Sequence, residues 1–307
     1  MTMNSMKRDF ILGDSWLYYK IYTGPKTSDT ILTQAIKPVA ERLLADGIID
    51  KWFFIRYADP KHHLRVRFHC VNPSRLSIVI ASLYSYIRHF IDQDLIWKVQ
   101  TDTYQREIER YGRDTMELSE ELFFYDSRMI VGFIDLIEGD EGEELRWLFA
   151  LRIIDHFLRC FGYADSDKLR LMDRLKTNFG LEFGMSRPLK KQLDSKYRTV
   201  RTRIEEFMTI HEAVQSYYAP ILKLIAVKDE NLASLARKIK AYKDHGKLEI
   251  SLDSFMASHI HMTMNRLFIS KNRVHEMVCY DFLWRHYKSK IARDQCVNVC
   301  TLVDELL

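Results

Sequence analysis

Proline and glycine are scarce in this chain, with 6 Pro and 11 Gly among 307 residues. Because 47% of the residues are hydrophobic and 12% are aromatic, a disordered, collagen-like or linker-rich chain is excluded. No apolar run reaches the roughly 18 residues of a membrane-spanning helix. The residues before Asp14 contain no apolar core of signal-peptide length. The sequence therefore predicts a folded cytoplasmic protein without a membrane span.

The five cysteines are an odd number and include no Cys-x-x-Cys pair. Several have apolar neighbours, so we expect packing residues in a reducing compartment. The chain has 46 Lys and Arg against 42 Asp and Glu, and a net charge of +4 is too small to indicate a nucleic-acid partner. The cysteines are Cys70, Cys160, Cys279, Cys296 and Cys300.

The signatures of several enzyme classes are missing. The sequence has neither His-Glu-x-x-His nor a Cys/His zinc spacing, which argues against a metal enzyme. It also lacks the Gly-x-x-x-x-Gly-Lys-Ser/Thr, Gly-x-Gly-x-x-Gly and Gly-x-Ser-x-Gly patterns of phosphate loops, dinucleotide sites and α/β-hydrolases. We therefore expect no metal and no cofactor.

The first third of the chain has the composition of β-strands, in short segments rich in aromatic and β-branched residues. Asp59–Pro60 between the second and third segments predicts an antiparallel hairpin. Helical spacing of apolar residues predicts helices over Asp29–Asp46 and Pro73–Asp92, with Asp29 and Asn72 as N-caps. The predicted strands are Trp16–Tyr22, Lys51–Tyr57, Leu64–Cys70 and Ile96–Tyr104.

From about residue 115 onward the periodicity is helical. The sequence thus predicts an α+β fold, with a mainly antiparallel sheet from the N-terminal third followed by a large helical portion. No linker separates the parts, so we predict a single domain over residues 1–307, strand-rich over about 14–112 and helical over about 115–292. A separately folding helical C-terminal domain is the alternative. The predicted helices are Thr115–Glu138, Glu141–Phe161, Ser166–Asn178, Pro188–Val227, Asn231–His245, Leu252–Ser270 and Val274–Ala292.

Alternation along one predicted strand places His63, Arg65 and Arg67 on one face and the apolar residues between them on the core face. Two guanidiniums beside an imidazole are suited to a carboxylate or another anion, because arginine presents a planar two-nitrogen fork. The competing interpretation is a solvated outer face of the sheet, where arginine is common.

Two further groups of polar residues are candidates. If the chain around Glu107 and Arg110 is helical, these residues are i,i+3 neighbours and can pair; in an extended loop they need not meet. His261 shares a helical face with Asn265, whereas His259 points elsewhere, so the two histidines cannot hold a metal together. A helical histidine is more often packed or solvated than catalytic.

A run of basic residues follows along a predicted helix. It is compatible with contact to RNA or an acidic peptide, but acidic residues interrupt it, which favours a solvated helix face. The run comprises Arg187, Lys190, Lys191, Lys196, Arg198, Arg201 and Arg203.

Five blocks occur in order along the chain: WLYYKIYTGP, DKWFFIRYADPKHHLRVRF, EIERYG, LFFYDS and SHIHMTMNRL. Together they resemble the C-terminal domain of class I lantibiotic dehydratases, and of stand-alone proteins of the thiopeptide-type bacteriocin biosynthesis group. The resemblance covers about Trp16 to Tyr287. It rests on the whole set, because any one block alone is weak.

The resemblance implies an elimination. In that family a separate domain uses glutamyl-tRNA to glutamylate Ser and Thr of a precursor peptide, and the C-terminal domain removes glutamate to leave dehydroalanine or dehydrobutyrine. One residue departs from the family pattern: Arg113 occupies the position where a second glycine usually follows Tyr-Gly. This difference puts the conformation of the turn after Tyr111 in doubt. By motif, the residues implied to act in elimination are Arg65, Arg67, Glu107, Arg110 and His261.

These residue types suit that reaction. One arginine can stabilise negative charge on the peptide carbonyl oxygen, and a second can hold the departing glutamate by its carboxylate. His261 can take or deliver a proton, and the sequence leaves open whether it is the base or the acid. No cofactor is required.

The glutamylating domain has no counterpart here, so the resemblance implies the elimination component of a split dehydratase. Its expected partners are the precursor peptide, with leader and glutamylated core, and a separate glutamyl-tRNA-dependent subunit; direct tRNA binding is not expected. The oligomeric state is left open, a homodimer included.

Two other functions remain as alternatives. Some stand-alone relatives in thiopeptide pathways catalyse a formal [4+2] cycloaddition of two dehydroalanines to form a pyridine ring. Because those members generally depart from the elimination residues, the set retained here favours elimination. The third alternative is a non-catalytic protein that binds the leader peptide or the partner subunit.

Overall fold

A computed structural model of the protein describes residues 6–137, 139–210 and 217–304, without the side chains of 140–141 and 297–304. The described chain forms two compact units, one of residues 6–137 and 220–270 and the other of residues 139–219 and 271–304. The division does not follow the boundary between strand-rich and helical parts, because residues 220–270 return to the first unit. That the chain folds as a single domain remains a prediction.

The predicted antiparallel sheet is confirmed, and with it the α+β class. Its strand order is β3-β4-β2-β5, and the hairpin around Asp59–Pro60 joins β3 to β4. A two-stranded sheet pairs β1 with β6, so the strand predicted over Ile96–Tyr104 is divided between two sheets. The strands are β1 Asp9–Phe10, β2 Trp16–Thr23, β3 Ile49–Tyr57, β4 His63–Cys70, β5 Ile96–Thr101 and β6 Tyr104–Gln105.

Alternation along β4 separates a polar face from the core. Leu64, Val66 and Phe68 are fully buried. On the opposite face Arg67 is paired in register with Tyr18 of β2 and Phe53 of β3, and the same face continues through Arg65 and His63. Cross-strand partners share a face of the sheet, so aromatic side chains flank Arg67, whereas Arg65 lies between Lys20 and Ile55.

The helices that follow β2 and β4 agree with the predicted spans. Asn72 is the expected N-cap, since its side chain accepts the Ser74 N–H at 3.0 Å. Asp29 is not a cap: the helix begins at Thr27, and the Asp29 carboxylate instead pairs with Arg56 at 2.5 Å. These helices are α1 Thr27–Ile31, which continues as a π-helix over Leu32–Ile36, α2 Lys37–Ala45, and α3 Leu76–Asp92 after a 3-10 turn at Pro73–Arg75.

In the remainder of the first unit, helices cover the outer edge of strand β3. Ser127 Oγ accepts the Phe54 N–H at 3.3 Å, and Asn265 both accepts from and donates to the Arg56 backbone at 2.9 Å. Arg266 Nε donates to the Phe54 carbonyl at 2.8 Å. Side chains thus satisfy an edge that would otherwise expose its backbone groups. These contacts come from α5 Met116–Ile134 and α10 Leu252–Leu267, and the unit also contains α4 Ile108–Tyr111 and α9 Ala219–Asp244.

The second unit is helical. The single helix predicted over Pro188–Val227 is wrong, because one helix ends at Thr209 and the next begins at Ala219. The break at Asp229 implied by the predicted helices ending at Val227 and beginning at Asn231 is also absent, since α9 continues through it while Lys228 pairs with Asp126 within the first unit. The helices of the second unit are α6 Gly139–Cys160, α7 Asp165–Glu182, α8 Arg187–Thr209 and α11 Asn272–Asp304.

The basic run lies on α8 and is partly neutralised. Arg198 pairs with Asp194 at 3.0 Å, Arg201 pairs with Glu205 at 3.0 Å, and Arg203 pairs with Glu144. These contacts support the interpretation of a solvated helix face carrying ion pairs.

Cys70 and Cys279 are buried, Cys160 is half-buried and Cys296 is exposed; the Cys300 side chain lies outside the described residues. Among the described helices, none combines the length and the apolar character that a membrane crossing requires.

Candidate active site

The centre of the site is the Arg67 guanidinium on β4. Its carbon atom lies 4.3 Å from the ring centre of Tyr18, 4.9 Å from Tyr104 and 5.1 Å from Phe53. Rings at these distances attract a cation through their negative faces. We call these three rings the aromatic cage. It holds Arg67 in place without a neutralising charge.

Arg67 differs from the other buried arginines of this unit. Arg56 pairs with Asp29, Arg106 with Glu120 at 2.7 Å, and Arg266 with Asp126 at 3.0 Å. Within the described part of the chain, Arg67 has no carboxylate at ion-pairing distance, and its Nε has no hydrogen-bond acceptor although the residue is only 8% exposed. Burial lowers the pKa of the Arg67 guanidinium, while the nearby tyrosines and Glu107 oppose that change.

A buried guanidinium without a counter-ion is costly, because the charge has left water without compensation. The cage offsets part of this cost, but it leaves the hydrogen-bonding capacity of the guanidinium unused. The arrangement is therefore suited to an anion supplied from outside the protein.

The aromatic cage has its own support. Tyr104 Oη donates to Glu120 Oε1 at 2.8 Å, and Arg106 holds the same carboxylate through Nε and Nη2 at 2.8 and 2.7 Å. Burial raises the pKa of Tyr104 well above its ordinary value, so its hydroxyl remains a donor. Glu120 thus fixes the orientation of the ring that Arg67 contacts.

Arg65 lies two residues from Arg67 on the same face and is half-buried. Its guanidinium stacks on Tyr57 at 3.4 Å from the ring centre, and its Nε donates to His63 Nε2 at 3.1 Å. No carboxylate in the described ranges pairs with Arg65 either. Its two terminal nitrogens therefore remain as an unused fork beside the cage.

Glu107 is the N-cap of α4, a single helical turn that contains Arg110. The turn brings Arg110 Nη1 to 3.1 Å from Glu107 Oε2, so the i,i+3 pair anticipated for a helical conformation forms. Gly112 ends the turn with φ of +79°, and a Cβ there would approach Thr115 Oγ1 to 2.8 Å, so glycine is required. The neighbouring Arg113 does not disrupt this turn: its backbone N–H donates to Glu249 at 2.7 Å.

Helix α10 packs against β3, α4 and α5 and carries both histidines. His261 is half-buried and lies one turn before Asn265, which is fixed to the backbone of β3. Its neighbour Met262 belongs to the same buried cluster as the cage rings and Tyr111, the residue after Arg110. The fold therefore brings the chain segments that carry Arg67, Arg110 and His261 to one cluster.

His259 is buried on a different side of α10. Its ring packs against Phe255, Tyr111 and Phe123, and its Nε2 lies 3.3 Å from Ser119 Oγ. Burial lowers its pKa well below the ordinary value, and nearby cations act in the same direction. His259 is therefore a neutral packing residue.

A pH dependence of stability follows from His259. Because its folded pKa lies below the unfolded value of 6.5, the unfolded chain binds a proton more readily, and the stability that neutral His259 contributes is complete above pH 6.5. It is lost progressively as the pH falls from 6.5 toward the folded pKa. We expect His259→Gln to show a smaller loss of unfolding free energy between pH 7.5 and 5.5 than the unmodified protein, measured by denaturant unfolding. Equal losses would contradict this assignment.

Sequence reasoning overlooked the aromatic cage, Glu120 and the pairing of Arg65 with His63. Tyr18 and Phe53 lie inside segments predicted as strands, and the signal that identifies them is their register opposite Arg67. That register becomes visible only when β2 and β3, the two strands that pair with β4, are aligned with it. In the described part of the chain, no group of three or more His, Cys, Asp or Glu side chains is arranged to hold a metal ion.

Comparison with known proteins identifies a family that the chain matches. A family model described as the C-terminal part of lantibiotic biosynthesis dehydratase matches residues 16–287. The nisin biosynthesis protein NisB of Lactococcus lactis subsp. lactis is 25% identical over 271 residues, 86% of this chain and 26% of NisB. The subtilin biosynthesis protein SpaB of Bacillus subtilis is 25% identical over 179 residues, 57% of this chain and 17% of SpaB. The chain thus spans at most about a quarter of these relatives.

Solved structures share the fold. The tRNA-dependent lantibiotic dehydratase MibB from Microbispora sp. 107891 has a TM-score of 0.71 at 19% identity, over 93% of this chain and 29% of MibB. TsrL has a TM-score of 0.64 at 12% identity, over 90% of this chain and 95% of TsrL. The pyridine synthase TbtD from thiomuracin biosynthesis has a TM-score of 0.65 at 11% identity, over 90% of this chain and 99% of TbtD.

Proposed function

The chain belongs to the family of lantibiotic dehydratase C-terminal domains, and from this membership we propose that it eliminates glutamate from glutamylated Ser and Thr residues of a precursor peptide. The products are dehydroalanine and dehydrobutyrine residues. The single observation that carries the proposal is the presence, on one sheet face, of two guanidiniums without a carboxylate partner among the described residues. The glutamyl ester brings both a carboxylate and a developing negative charge to such a face.

The elimination moves one proton and two electron pairs. A base takes the Cα proton of the glutamylated residue, the electron pair of the Cα–H bond forms the Cα–Cβ double bond, and the Cβ–O bond breaks with its electron pair going to the departing oxygen. Glutamate leaves as a carboxylate. Negative charge develops first on the peptide carbonyl oxygen and then on the departing oxygens, so two sites of stabilisation are needed.

Arg67 and Arg65 have different surroundings that suit these two tasks. Arg67 lies in the water-poor aromatic cage, where a fixed charge acts strongly on a carbonyl oxygen. Arg65 is more exposed and offers a two-nitrogen fork to the departing carboxylate. In this account Arg67 stabilises the enolate-like oxygen and Arg65 binds the glutamate.

Glu107, Arg110 and His261 complete the proposed set. The Glu107–Arg110 pair orients a third guanidinium near the cluster, and its side chains are 60% and 40% exposed, so it remains accessible to a peptide. His261 is assigned the proton transfer, because histidine changes protonation state near neutral pH. The pH dependence of the elimination rate distinguishes whether it takes the Cα proton as the base or protonates the departing glutamate as the acid.

The partners follow from the chemistry. The substrate must already carry glutamate, so we propose a separate glutamyl-tRNA-dependent subunit and a precursor peptide with its leader, all in the cytoplasm. Elimination itself uses no tRNA, metal or cofactor.

We expect purified protein to convert a glutamylated precursor peptide into a dehydrated one without added tRNA. Mass spectrometry would follow the loss of the glutamyl groups, and the unglutamylated peptide is the control. An unchanged glutamylated peptide, with intact leader and an active partner subunit, would contradict the proposal.

Pyridine formation by [4+2] cycloaddition is the second candidate. The observation that keeps it as a candidate is the shared fold: the pyridine synthase TbtD superimposes with a TM-score of 0.65 over 90% of this chain. Incubation with a peptide that already contains two dehydroalanines separates the candidates. Formation of a pyridine ring from that peptide, without glutamate release from the glutamylated one, would establish cycloaddition.

A further inference from the structure

His63 is the neighbour of Arg65 on β4 and is only 1% exposed. Its Nδ1 lies 2.8 Å from the Lys61 carbonyl oxygen. Because a carbonyl can only accept, Nδ1 carries the hydrogen, and Nε2 of the neutral ring has a lone pair. That lone pair accepts the Arg65 Nε–H at 3.1 Å. One backbone contact therefore sets the tautomer that Arg65 requires.

Two aromatic rings complete this arrangement. Tyr22 stacks on His63 with ring centres 4.7 Å apart, and Tyr57 lies under the Arg65 guanidinium at 3.4 Å. The Nε side of Arg65 is thus bonded and one of its planar faces is covered. The terminal nitrogens are left as the edge available to an anion.

We propose that His63 is a positioning residue for substrate binding: in its neutral form it holds the Arg65 fork in the orientation that receives the glutamate carboxylate. This inference rests on the proposed elimination function. His63 acts through Arg65 and does not contact the reacting atoms itself.

The charges around His63 favour the neutral form. Arg65 faces it from its own strand, Lys20 from β2, and His62 from the preceding loop, while the rings of Tyr22 and Tyr57 enclose it. Burial lowers the pKa of His63 below 6.5, its contact with the Lys61 carbonyl opposes the change, and the nearby Arg65, Lys20 and His62 add to the lowering. Protonation would convert Nε2 into a donor facing a guanidinium, so Arg65 would lose its anchor.

Three variants test this role. His63→Leu removes the acceptor, His63→Gln restores a side-chain oxygen that can accept near the same position, and His89→Leu is a control on the exposed face of α3. We expect His63→Leu to reduce kcat/KM for elimination by about tenfold to 10²-fold, mainly through KM, since a misplaced binding group costs this much. His63→Gln should recover most of the activity and should move the acid limb of the pH profile to lower pH.

A second readout does not depend on turnover. In protein labelled with ¹⁵N-arginine, the Arg65 Nε–H resonance, assigned with Arg65→Lys, should shift in His63→Leu and on titration below pH 6.5, with thermal unfolding of the variants checked in parallel. An unchanged resonance would overturn the positioning role even if the protein proves inactive in elimination. Normal elimination by His63→Leu would overturn it as well, while leaving the proposed function intact.

Discussion

Replacing Arg67 with lysine is expected to lower the rate constant of glutamate elimination by about 10²–10³-fold, the usual cost of removing one preorganised donor from an oxyanion site. Lysine keeps the charge but loses the planar guanidinium that lies among the three rings of the aromatic cage. The protein should remain folded, because Arg67 has no ion pair with any described residue that the substitution would break.

The measurement is single-turnover elimination on a glutamylated peptide, with peptide affinity and thermal unfolding recorded on the same samples. Arg8→Lys is the matched control, since Arg8 lies in the same unit and pairs with the exposed Glu109. We expect the control to retain full activity. Unchanged turnover in Arg67→Lys would show that Arg67 has no catalytic role and belongs to a charged face of the sheet.

The largest loss of stability is expected for Asp126→Asn. Asp126 is 4% exposed and accepts from Lys228 Nζ at 2.5 Å and from Arg266 Nη1 and Thr263 Oγ1 at 3.0 Å. The amide cannot neutralise the two buried cations, so the loss should be about 3–5 kcal/mol, as for other broken buried ion pairs.

Unfolding in guanidinium chloride provides the test. If the dependence of the unfolding free energy on denaturant concentration is unchanged, the shift of the transition midpoint reports the change in that free energy. Asp92→Asn is the control: its partner Arg88 is exposed, and we expect nearly unchanged unfolding. A similar small effect at Asp126 would show that water reaches and compensates the two cations.

Local pattern predicted the strands and the polar face of β4, since both depend on alternation with period two. The apolar residues between His63, Arg65 and Arg67 are fully buried, as that alternation requires. The pairing of Glu107 with Arg110 was likewise accessible, because i,i+3 geometry needs only one helical turn.

Contacts between distant segments of the chain could not be predicted from the sequence. The rings of the aromatic cage come from β2, β3 and β6. Whether Arg67 has a counter-ion depends on where the fold places each carboxylate of the unit. Asp29 illustrates the same difficulty. Its local position suits a helix cap, but a buried arginine on β3 provides a stronger partner than a backbone amide.

The predicted helix boundaries near Asp229 are wrong for a related reason. Asp229 is a reasonable local break, yet α9 continues through it while the preceding lysine pairs with Asp126, 102 residues earlier in the chain. Tertiary ion pairs of this kind override local propensity.

Elimination and hydrolysis of the glutamyl ester both release glutamate, and deuterium at Cα distinguishes them. A precursor peptide is prepared with deuterium at Cα of its glutamylated serines, and single-turnover products are resolved by mass spectrometry. We expect free glutamate together with dehydroalanine that has lost the deuterium, at a rate slowed by the isotope. Release of glutamate with intact, deuterated serine would show ester hydrolysis and would exclude elimination.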